Sequence, residues 1–335
     1  MNARQKRSLL LAVGVLAVLV AVLLAVKAVS RRKAADAAGA DSSAETLGDG
    51  TDSVSALEWD NGSTVTALTR DEDGTWHWAG DADFPLDPSY PDAITETLSA
   101  LTPQQTITDG DTLEAYELDE PTRTLTVTRA DGSSTLYRFG KNTTDGSSCY
   151  LLVGEEESPV YIVDGALRDQ LDVGIYDMML LPELPAPAES ELKSIHITGA
   201  KETELTAIVS EADPDSSAAD GDPVVSWRSE GANVTDAAQE LVSSLSGLTL
   251  SKCADYKPTA QAVTLCGLDT PRAVLELSYQ AGGADKTFRL QVGASAADGS
   301  GYYVRVDEDS TVYTMSADAL SALLAVADSG LSPAA

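Results

Sequence analysis

The 335-residue chain has 2 histidines and 3 cysteines, and its absences narrow the chemistry first. Two histidines leave little for imidazole acid–base work or metal binding. His77 lies between Trp76 and Trp78, and His196 between Ile195 and Ile197. Alternation on a strand makes each a solvent-facing or edge residue. Cys149, Cys253 and Cys266 are too scattered for a disulfide framework or a CxxC metal site. Two readings of them stand: one Cys253–Cys266 bridge, or three ordinary part-buried thiols, which is the plainer. HExxH, GxSxG and Walker-type loops are missing, and Gly140-Lys141 has no phosphate-loop glycine at the right distance before it. No catalytic, cofactor-binding or metal-ligating residue is therefore assigned, and no cofactor is expected.

Basic residues are also scarce beyond the start of the chain. Seven of the 22, namely Arg4, Lys6, Arg7, Lys27, Arg31, Arg32 and Lys33, fall in the first 33 positions, leaving 15 against 53 acidic residues. Such a surface repels phosphate backbones, which excludes nucleic acid as a partner. With this many carboxylates, sequence singles out no acid/base pair. Asp71-Glu72-Asp73-Gly74, Asp81/Asp83/Asp87 and Asp307-Glu308-Asp309 could offer oxygens to calcium, but none has the EF-hand spacing, and acidic turns are usually just solvated.

What is present begins with LLLAVGVLAVLVAVLLAV at 9–26. Continued to Val29, it makes a helix of about 31 Å, matching a bilayer core of about 30 Å. Val26-Lys27-Ala28 resembles a signal-peptide cleavage site, but the apolar run is longer than a signal peptide needs. No cysteine follows for a lipoprotein anchor. The expectation is a short basic cytoplasmic tail (1–8), a single-pass anchor in the lipid bilayer (9–29) and a flexible linker (30–53). The bulk of the chain is placed outside the cytoplasm, although basic clusters on both sides of the run nearly cancel the positive-inside bias.

The rest carries an internal duplication, 54–180 and 191–326, joined by a Pro-rich stretch at 181–190 and followed by a tail at 327–335. YELDEP at 116–121 returns as CGLDTP at 266–271. TWHW at 75–78 answers VSWR at 225–228, and Gly140, Asp145 and Gly146 answer Gly293, Asp298 and Gly299. Ile94, Leu98 and Leu101 predict one helix with an apolar face. Ala238, Leu241, Val242 and Leu245 predict its counterpart, capped by Thr235 or Asp236. Hairpins turn at Ala130-Asp131-Gly132 and Gly282-Gly283, and short helices follow around Leu167/Leu171 and Leu320/Leu324. The fold class is α+β: two tandem repeats of antiparallel sheet with packed helices, each large enough for its own core, behind one transmembrane helix. In the hexapeptide, Pro121 and Pro271 are expected at strand starts, Asp119 and Asp269 on turn amides, and Leu118 and Leu268 in a core.

This order of Trp strand, helix, Leu-Asp-x-Pro tract, Gly-ended hairpin, Tyr strand and Val-Tyr strand resembles the bacterial domain-of-unknown-function 4340 family over roughly 54–326. Glu117 stands where the family tract has Gly, and Cys266 where it has Tyr. The resemblance implies a membrane-anchored protein accompanying the permease and auxiliary subunits of an exporter-like ABC system related to gliding-motility components. It implies no catalytic residues. The first expectation is a non-enzymatic accessory subunit of such a system. The alternative is a free-standing surface module binding wall polymer or protein, where exposed Trp76 or Trp78 would favour sugar stacking. An enzyme using an acidic pair comes third.

Overall fold

The computed structural model describes residues 46–331 except 49 and 211–223. The apolar run 9–26 and most of the linker lie outside the described residues. Among those described, no helix is long and apolar enough to cross a membrane.

The duplication is visible as two antiparallel sheets with one strand order. In the first, β1 (Val54–Asp60), β2 (Val65–Arg70), β3 (Trp76–Trp78), β4 (Gln105–Ile107), β5 (Arg123–Arg129), β6 (Ser134–Asn142), β7 (Ser148–Val153) and β8 (Val160–Asp164) are arranged β3-β2-β1-β5-β6-β7-β8-β4. In the second, β9 (Leu192–Thr198), β10 (Thr203–Ser210), β11 (Val224–Ser229), β12 (Ala232–Asn233), β13 (Lys252–Asp255), β14 (Ala273–Ala281), β15 (Ala284–Ser295), β16 (Tyr302–Val306) and β17 (Val312–Met315) are arranged β12-β11-β10-β9-β14-β15-β16-β17-β13. Apart from β12, each strand has its counterpart.

Register repeats as well. Leu57 faces Leu68 and Val127 across its two neighbours, as Ile195 faces Leu205 and Leu277. All six are buried, because alternation with period two turns one face of each strand inward.

Helices α1 (Ser89–Ser99) and α4 (Thr235–Leu245) bury the expected stripes, Ile94 and Leu98 in one and Ala238, Leu241, Val242 and Leu245 in the other. The cap of α4 differs from expectation. Thr235 is already helical and its Oγ1 accepts from the Trp227 amide at 2.9 Å, while Asn233 Oδ1 accepts from the Thr235 amide at 3.0 Å. Shorter helices α2 (Leu113–Tyr116), α3 (Ala166–Gln170) and α5 (Ala260–Leu265) complete the units with α6 (Ala317–Ser329). Helix α6 runs past the expected boundary at 326, with Ala327 buried.

Two further expectations change. The chain joins the fold before residue 54: the Leu47 amide bonds Leu101 O at 2.9 Å, and Tyr137 donates its hydroxyl to Leu47 O at 3.0 Å. The units do not keep separate cores either. One buried cluster runs from Leu57 and Phe139 through Met178 to Ile195 and Leu290.

What welds the units is an aromatic seam. Phe84 lies edge-on to Trp78 (5.4 Å) and to Tyr256 of the second unit (5.1 Å), and stacks at 6.3 Å on Tyr176 from the 3-10 turn Ile175–Met178. Asp81 pairs with Lys257 beside it. On the joint, Glu189 accepts from Trp227 Nε1 at 2.9 Å.

Candidate functional site

The repeated hexapeptide is a helix terminator. Glu117 (φ 58°), directly after α2, and Gly267 (φ 68°), after α5 and its cap residue Cys266, both take left-handed backbone. The Leu118 and Leu268 amides reach back to Leu113 O (2.9 Å) and Val263 O (3.0 Å), which is the Schellman pattern of a helix end. Leu118 and Leu268 are buried. Pro121 and Pro271 lie two residues ahead of β5 and β14 rather than at their first positions. Asp269 accepts from the Thr270 amide at 2.9 Å, whereas exposed Asp119 lines a surface cavity.

Glu117 occupies a conformation that costs an L-residue about 1–2 kcal/mol. Glu117→Gly is therefore expected to stabilise the chain by roughly 0.5–1 kcal/mol after glycine's extra unfolded-state entropy is subtracted. Urea denaturation would show it, and an unchanged or lower midpoint would contradict the strain.

Both histidines lie as expected on outward strand positions. His77, on edge strand β3, reaches Asp71 at 3.1 Å. His196 is held by Glu202 at 2.9 Å, with Glu276 at 3.6 Å on the neighbouring strand. The Glu202 bond and then Glu276 raise the His196 pKa above its ordinary value of 6.5, against a smaller opposing effect of burial. A raised folded-state value means the stabilisation is complete below about pH 6.5 and fades as pH rises through the folded pKa. Stability should thus drop across the near-neutral range in wild type, and Glu202→Gln should flatten that slope. An NMR titration placing His196 at or below 6.5 would refute it.

The three acidic turns are occupied by their own backbone and neighbours. Asp73 Oδ1 accepts from the Thr75 amide (3.0 Å), Asp81 from Asp83 (3.1 Å) and Asp87 from Ser89 (2.9 Å). Asp307 accepts from the Arg289 amide at 2.8 Å. Asp309 takes the Thr311 amide (2.9 Å) and the Tyr313 hydroxyl (2.6 Å). Burial works to raise the Asp309 pKa, but those two bonds outweigh it and hold the carboxyl low. Among the described residues, no group of three or more His, Cys, Asp or Glu is arranged to hold a metal ion.

The cysteines come together only in part. All three are free, so the Cys253–Cys266 bridge is not formed, yet both line one cavity of about 330 Å³ at the seam. Asp177 of the first unit, Tyr303 and the ion pair Lys252–Asp298 (2.7 Å) share it. Burial pushes the Cys253 thiol up to about 12 and raises Cys266 too, so neither offers a thiolate at neutral pH. Sequence spacing carried no sign of this cavity, because Asp177 reaches it from the other unit.

The tryptophans offer no stacking platform. Trp76 is buried with Nε1 on Asp92 at 3.1 Å, its counterpart Trp227 is fully buried, and half-buried Trp78 lies against Phe84.

A protein-family model described as a domain of unknown function (DUF4340) matches residues 76–263 and 232–329. No curated protein matches the chain, and no solved structure does. Two overlapping matches on one chain agree with two sheets of one strand order. Together they run from β3 to the end of α6, and the chain belongs to this DUF4340 family.

Proposed function

We propose that this protein is a non-enzymatic binding subunit, held to the cell membrane by residues 9–29 and working outside the cytoplasm beside an ABC-type, gliding-motility-like exporter. The observation that carries the binding reading is the use of its acids. In the three acidic turns Asp73, Asp81, Asp87, Asp307 and Asp309 bond backbone amides, a neighbouring hydroxyl or a cation instead of converging on a reacting atom. The duplicated sheets, locked by the aromatic seam, then serve as one rigid body presenting two related surfaces. The exporter follows from what the family resemblance implies.

In-cell crosslinking of the carboxy-terminally tagged full chain, followed by mass spectrometry, tests the pairing. Stoichiometric recovery of a permease or its ATPase is the expected result. Recovery of the tagged chain alone, or with wall fragments, would transfer support to a free-standing surface module.

A further inference from the structure

The two units differ in one place where their shared architecture should make them alike. Each sheet ends on a short strand paired to the Val-Tyr strand, with Thr106 opposite Tyr161 and Cys253 opposite Tyr313. In the second unit this end strand is covered. The 3-10 turn Ile175–Met178 of the first unit packs against β13 and brings Asp177 to the cavity that Cys253 lines. Cys253 is buried as a result.

In the first unit Gln105 and Thr106 are exposed, and β4 packs to any extent only against β8 among the described elements. Gln105 also stands where the second unit has Lys252, a residue type that guards sheet edges. Beside β4 lies a cavity of about 730 Å³. Its floor is apolar, made by Ile107, Leu113, Tyr116 and Val160, which belong to a small cluster set apart from the main core. Its rim is acidic: Asp109, Asp111, Glu114, Asp119 and Glu157 are exposed there, and no Lys or Arg lines it. Carboxylates gathered around a low-dielectric floor focus a negative potential that a cationic group would relieve. An open strand edge supplies main-chain donors and acceptors to an extended peptide.

We propose that β4 and this cavity take an extended basic segment of another protein, one apolar side chain resting over Tyr116 and cationic side chains meeting Asp109, Asp111 and Glu114. The proposal rests on the reading of the chain as a binding subunit. Strand addition gives affinity without sequence specificity, and the acidic rim selects the sign of charge.

Fluorescence anisotropy with the full chain in detergent micelles tests it, using a labelled peptide KVKVYKVK and its charge-reversed partner EVEVYEVE. The expected result is saturable binding of the basic peptide alone, weakening with salt. Asp109→Asn/Asp111→Asn/Glu114→Gln should lower affinity by about tenfold or more. Glu202→Gln/Glu204→Gln, on the second unit's outer face, should leave it within about twofold, since those charges are screened from the site. Equal loss in both variants, or no binding, overturns the proposal. So does a dimer of the chain that the triple variant dissociates, because a second copy would then be the occupant. Because the rim side chains are exposed, the amide variants should fold, which circular dichroism checks. Permease recovery by crosslinking with no peptide bound would retain the exporter reading and discard this one. Peptide binding with no permease recovered would do the reverse.

Discussion

Phe84→Ala is expected to remove about 3–5 kcal/mol of stability and to split a single unfolding transition into two. Phe84 is buried at the meeting of Trp78, Tyr176 and Tyr256, the first two rings from its own unit and the third from the other. Truncation opens a cavity the surrounding backbone cannot close. It also removes aromatic pairs worth about 0.5–1.5 kcal/mol each beyond their burial. The buried cluster is continuous through this point, so wild type should unfold as one body.

Tryptophan fluorescence separates the halves, since Trp59, Trp76 and Trp78 lie in the first unit and Trp227 in the second. Urea curves followed by fluorescence and by circular dichroism should coincide for wild type and diverge for the variant. Lys257→Ala, removing the exposed pair with Asp81, should cost less than about 1 kcal/mol. Coincident curves for Phe84→Ala with a similarly small loss would mean the seam does not couple the units.

The second large effect concerns the glycines that lie under the hexapeptides. A Cβ on Gly293 would sit 2.1 Å from Cys266 O, and one on Gly140 would sit 2.2 Å from Tyr116 O. Both obstacles are backbone, and the Cys266 carbonyl is further pinned by the Ala294 amide at 2.8 Å. No rotamer change can relieve such a clash, so Gly293→Ala and Gly140→Ala should each cost about 3 kcal/mol or more, the upper end for overpacking. Gly132→Ala is the control: its φ of 82° is strained for alanine, but nothing lies within 4 Å, so about 1–2 kcal/mol is expected. Thermal or urea melts of the three variants decide it. Equal losses would mean that the left-handed turn does not depend on the close approach of the strand below.

These pairings show what could be read early. Glycine ending a hairpin and a Leu-Asp-x-Pro tract upstream were both legible twice, but their dependence on each other was not. Pairing Gly293 with Cys266 takes a helix end folded back onto a strand 27 residues further on. Strands β2 and β10 escaped the pattern reading, as did β4 and β13. Of these, β4 is three residues of mostly exposed side chains with no apolar alternation to announce it. Its place in the sheet depends on pairing with β8, more than fifty residues away. The hydroxyl of Thr235 was likewise legible as a cap acceptor, but the Trp227 amide, brought near by the sheet, donates to it instead.

By itself, then, the sequence determined the duplication, the α+β class, the apolar faces of α1 and α4, and the two hairpins. All of these follow from local periodicity, because a side chain's direction in a helix or strand repeats with fixed spacing. Only the tertiary structure decided that the units share one core, that Cys253 and Cys266 stay apart as free thiols, and that β13 is covered while β4 is open. Those outcomes depend on contacts such as Phe84 with Tyr256, between residues far apart in the chain whose meeting no local pattern encodes.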